Sequence, residues 1–111
     1  MKTKNIALPQ LNNLHPSVES TAIKLMEETG ELAAAIARFK GYGGIQHLTS
    51  DPRELAIDCA RELLDVAQTA ITMMFVLEEQ YGVNVDTVVM EHVQKLIDKG
   101  YLSFDNSGLG E

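Results

Sequence analysis

From residue 18 to residue 97 the apolar side chains return at intervals of three and four, interrupted only where proline, glycine and capping residues gather. That spacing is the period of an α-helix, and it allows few other solutions. The first segment carries Val18, Ala22, Leu25, Met26, Leu32, Ala33 and Ile36. His15 or a neighbour is expected near its cap, Pro16 in its first turn, and the glycines of GYGG (Gly41 to Gly44) at its end. GIQHLTS reads as a linker. Ser50 or Asp51 then caps a second helix, with Pro52 in its first turn and Glu54 placed to complete a capping box with Asp51.

The second helix runs to about Gln80 and stops at Gly82. Its apolar positions, from Leu55 to Leu77, fill roughly half the circumference at about 100° per residue. One neighbouring helix covers less than that, so this helix is expected at the centre, against at least two partners. A third helix follows, capped by Asn84 or Asp86, with Val85, Val89, Val93 and Leu96 as its stripe and Gly100 as its stop. Residues 1–15 show no periodicity and read as an arm, 16–100 as one helical domain, and 101–111 as a tail in which Tyr101, Leu102 and Phe104 could pack back. The fold class is therefore all-α, an antiparallel bundle of three main helices. Because the second helix has more apolar surface than one neighbour covers, oligomerisation is expected to complete it; coverage by the arm and tail is the alternative.

Acids outnumber bases 16 to 9, a net charge of −7, which argues against a nucleic-acid backbone as partner. The single Cys59 forms no internal disulfide and suits a reducing compartment. No long apolar run follows the basic start and none is long enough for a membrane span, so a cytoplasmic setting is expected. Cys59 reads as core. His15, His47 and His92 are scattered, with His92 at a core edge, and make no zinc site.

The acids are less scattered. Glu28 and Glu31 on the first helix, and Glu62 and Asp65 on the second, are each three apart at the border of an apolar arc, with Asp58 one turn before Glu62. Like charges at this spacing repel. If the helices form an antiparallel hairpin, Glu28 and Glu31 lie about 18 and 14 Å from the loop, and Glu62 and Asp65 about 17 and 21 Å, at a rise of about 1.5 Å per residue. Four carboxylates at one height need counter-charge. Lys24 is a turn away and Arg61 points elsewhere, so basic neutralisation is incomplete. An all-oxygen set of this kind suits Mg²⁺ or Mn²⁺. A solvated acidic face is the plainer reading.

These same residues carry a family likeness. KLMEETGEL followed by ARELLDVAQTA resembles the signature of the MazG-like nucleotide pyrophosphohydrolases of the all-α NTP pyrophosphatase superfamily, EExxE and then ExxD, here on Glu27, Glu28, Glu31, Glu62 and Asp65. The resemblance implies a Mg²⁺-dependent homodimer or homotetramer that cleaves a nucleoside triphosphate between the α and β phosphates. It makes Glu28, Glu31, Glu62 and Asp65 the metal ligands and Lys95 and Lys99 the phosphate contacts. The family's usual Asn in that region has no match, Gln94 standing nearest. A spare carboxylate, Glu27, Glu31 or Asp58, would take the proton from water. The competing class is a non-catalytic helical interaction module whose acidic face docks a basic partner.

Overall fold

The computed structural model describes residues 1–41 and 51–103. The expected linker, with His47 and the alternative cap Ser50, and the tail from Phe104 onward lie outside them. Three helices form: α1 (Val18–Lys40), α2 (Pro52–Tyr81) and α3 (Val85–Asp98), with no strand among the described residues.

The helix ends follow local chemistry. Ser17, not His15, caps α1: Ser20 N–H donates to Ser17 Oγ at 3.0 Å and Ser17 N–H to Ser20 Oγ at 2.9 Å. This reciprocal bond satisfies two backbone donors at once, and it leaves Pro16 outside the first turn. Asp51 caps α2, as one of the two expected candidates, but it accepts from Arg53 N–H at 3.0 Å rather than from Glu54. Asn84 caps α3 through Thr87 N–H at 3.1 Å. Gly41 (φ 71°) and Gly82 (φ 66°) end α1 and α2 in the left-handed region, where a side chain is strained.

The packing departs from the expected stripe. α1 meets α2 through Thr21, Glu28 and Ala35, all buried and seven residues apart. Leu25 and Leu32 are half-buried beside this seam, whereas Ala22, Ala33 and Ile36 are exposed and Met26 is 77% exposed. The inward face therefore lies roughly a quarter turn from the apolar stripe, at about 100° per residue. α2 answers with Cys59, Thr69, Thr72 and Val76, the cysteine being core as expected. Its Leu63 and Leu64 point outward, at 53% and 45% exposure.

α3 packs against neither helix along its length, and none of its residues is buried. His92, expected at a core edge, is exposed, as are Val88, Val89 and Met90. The radius of gyration is 17.8 Å. A compact chain of this length would give about 13 Å. The three helices form, but one chain does not close them into a bundle.

The arm does pack. Gln10 Nε2 donates to Glu79 Oε2 at 2.8 Å and Gln68 Nε2 donates to the Pro9 carbonyl at 2.9 Å, so the arm is tied along α2.

Replacing Ser17 with Ala should cost about 1 kcal/mol of stability, seen as a lower urea midpoint at constant slope. An unchanged midpoint would mean that the Ser17–Ser20 pair does not hold the start of α1.

Candidate active site

A cavity of about 380 Å³ opens where the arm crosses the α1–α2 seam. α1 contributes Thr21, Lys24 and Glu28; α2 contributes Asp65, Gln68, Thr69 and Thr72; the arm closes it with Leu11, Leu14 and His15. Its lining is mostly apolar, and carboxylates enter it from both helices.

Glu28 sits in the seam at 9% exposure. A charge so placed needs a partner, and Lys24 Nζ stands 3.6 Å from Glu28 Oε2, one turn earlier on the same helix. Lys24 is itself largely exposed, so one screened ammonium faces several acids and neutralisation stays partial. Glu31 shows the consequence. Its carboxyl is pushed above the ordinary value of 4.5, first by the charge of Glu28, then by desolvation, the charge of Glu62 and a hydrogen-bonding contact with Glu28, with Lys24 pulling the other way.

Of the residues singled out in the sequence, Glu31 thus feels both Glu28 and Glu62, and Glu28 and Asp65 line the same cavity. Asp58 is engaged elsewhere, accepting from Arg61 Nη1 at 2.7 Å. Glu27 is exposed. Lys95 and Lys99 lie on or at the end of α3, away from the helices that carry the acids; Lys95 borders a separate groove with Val88, Glu91 and His92. Gln94 donates to Asp98 Oδ1 at 2.8 Å.

The donor set suits a divalent cation in chemistry, since every group is a carboxylate and the repulsion on Glu31 is what a cation would relieve. As the side chains stand, no three Asp, Glu, His or Cys among the described residues are grouped to hold a metal ion. The carboxylates are gathered at one seam, and ligation would have to draw them together.

Sequence reasoning missed Thr21, Gln68, Thr69 and Thr72 as cavity residues, and although it expected base contacts from arms and loops it named no arm residue for the site. The available signal was QTAIT, polar residues inside the apolar run of α2.

Because the folded state raises the Glu31 pKa, it binds that proton more tightly than the unfolded chain, and stability falls as pH rises through the raised value. In metal-free buffer, Glu31→Gln should therefore melt higher than the parent near neutral pH, with the gain vanishing below pH 4.5. A gain independent of pH would show that charge repulsion is not its cause.

A family model described as MazG nucleotide pyrophosphohydrolase domain matches residues 16–100. Comparison with curated proteins and with solved structures gave no match.

Proposed function

Given that this chain belongs to the MazG nucleotide pyrophosphohydrolase domain family, we propose that it hydrolyses nucleoside or deoxynucleoside triphosphates between the α and β phosphates, with Mg²⁺ or Mn²⁺ as the cation. The products are a nucleoside monophosphate and pyrophosphate. The observation that carries this reading is Glu28, a carboxylate buried in the helix seam, sharing a cavity with Asp65 and raising the pKa of Glu31. Glu31 and Asp65 are exposed, but a wholly solvated acidic face would not bury Glu28 in a helix interface.

Glu28, Glu31, Glu62 and Asp65 are the proposed ligands. When bound, the cation supplies neutralisation of phosphate charge and polarises the reacting water. The water oxygen bonds to one phosphorus of the α–β bridge as the bond from that phosphorus to the bridging oxygen breaks, and the bridging oxygen leaves with the other phosphate. One proton of the water goes to a nearby carboxylate, Glu27, Glu31 or Asp58. Arg61 already holds Asp58, which favours the other two. The mostly apolar wall of the cavity excludes water from the bound nucleotide.

The proposed pairing of α1 and α2 is antiparallel. Its support is the order of contacts: Glu31 feels Glu62, whereas Glu28, three residues earlier, shares a cavity with Asp65, three residues later. Lys95 and Lys99 are assigned to the phosphates across a subunit boundary, since α3 does not pack on its own α1 and α2. A homodimer or homotetramer would also cover the exposed Met26, Leu63, Val89 and Met90. The lone buried Cys59 suits a reducing compartment, and the reaction is assigned to the cytoplasm. Among the described residues no helix is long and apolar enough to cross a membrane.

Glu62→Gln should abolish pyrophosphate release from a panel of triphosphates at saturating Mg²⁺, with the circular dichroism of the helices unchanged. Retained release would remove Glu62 from the ligand set. Val89→Asp should lower the mass measured by light scattering to that of a single chain; an unchanged mass would take the α3 face out of the subunit interface.

A further inference from the structure

Beyond the carboxylates, the cavity ends in a wall whose hydrogen-bonding state can be assigned atom by atom. Thr69 donates its hydroxyl proton to the Asp65 carbonyl at 3.0 Å, and Thr21, across the cavity, donates to the Ser17 carbonyl at 2.7 Å. With those protons committed to the helix backbone, both oxygens can only accept from a ligand. Gln68 is held more firmly. Its Nε2 donates to the Pro9 carbonyl at 2.9 Å and to the Thr72 hydroxyl at 3.3 Å. A backbone carbonyl has no proton to give, so turning the amide over would set oxygen against oxygen. The nitrogen is thereby fixed toward the arm with both hydrogens used. Gln68 Oε1 remains as an acceptor on a residue that lines the cavity.

We propose that this end of the cavity receives the nucleobase, and that Gln68 selects bases with an exocyclic amino group, cytosine and adenine, over their carbonyl counterparts, uracil and hypoxanthine. The proposal rests on the pyrophosphohydrolase reading, because phosphates neutralised by a cation at Glu28 and Asp65 would deliver the base to this wall. An amino group donates to Gln68 Oε1, whereas a carbonyl at the same edge faces an acceptor that the arm prevents from rotating away. Leu11 and Leu14 supply apolar surface for the base. The volume of about 380 Å³ falls within the range of small-ligand sites. Gln68 is thus a specificity residue, and Pro9 positions it.

Calorimetric titration of the full chain in chelator, with the uncharged nucleosides deoxycytidine against deoxyuridine and adenosine against inosine, tests the base wall without turnover and without a phosphate facing the acids. The amino member of each pair should bind at least about tenfold tighter, as expected where a site is built to pair a substrate N–H. Gln68→Met should bring each pair to near equality. Gln68→Lys keeps a donor for Pro9 but replaces the acceptor with donors, so the preference should reverse; it also decides the matter if the Met variant fails to fold. Equal binding within each pair by the parent chain, no binding of any of the four, or an unchanged preference in Gln68→Lys would overturn the proposal. Pyrophosphate release from dCTP and dUTP separates the two readings: equal kcat/KM for both removes the base selection alone. Release from no triphosphate removes the hydrolase reading, and the titration still decides whether the wall reads the base.

Discussion

A carboxylate in the seam between two helices is the constraint from which the other features follow. Glu28 occupies a position that an aliphatic side chain would fill at less cost, between Thr21 and Ala35 on the face that meets α2. Desolvation of that charge is offset only in part by the Lys24 ammonium at 3.6 Å, and Glu31 and Glu62 add to the negative field. A seam arranged for stability alone would not concentrate like charge in this way. The cost is understandable if the acids serve a cation and the phosphates it neutralises.

Giving the seam to threonine, alanine and glutamate turns the larger apolar residues elsewhere. Met26 and Ile36 on α1, and Leu63 and Leu64 on α2, face outward, and among the described residues no helix packs along α3, which carries Val88, Val89 and Met90. A radius of gyration of 17.8 Å, against about 13 Å for a compact chain of this length, goes with that exposure. The same displacement keeps Lys95 away from Glu28 and Asp65 of the seam. Assembly and completion of the phosphate site are thus one requirement in the proposed enzyme.

The arm is tied to α2 and closes the cavity. Two side-chain hydrogen bonds tie it to α2, through Gln10 with Glu79 and Gln68 with Pro9. The second of these also fixes which atom of the Gln68 amide is left for a ligand. An unstructured stretch in sequence terms becomes both a wall of the cavity and the clamp on the Gln68 amide.

The amino-acid sequence by itself determined the features that depend on neighbours a few positions away. A helix end within GYGG and another at Gly82, caps narrowed to Ser50 or Asp51 and to Asn84 or Asp86, and the three-residue spacing of Glu28 with Glu31 and of Glu62 with Asp65 are local facts, enforced by backbone donors and by the helical period. Tertiary structure decided which face of each helix looks inward. Periodicity gives directions around an axis but not the partner each direction meets, and on α1 the buried seam ran through Glu28 rather than along the apolar stripe. It also decided the place of the arm and the orientation of Gln68, because the Pro9 carbonyl that fixes the amide lies 59 residues away in the chain. No local rule reaches across that separation; only packing brings the two groups together.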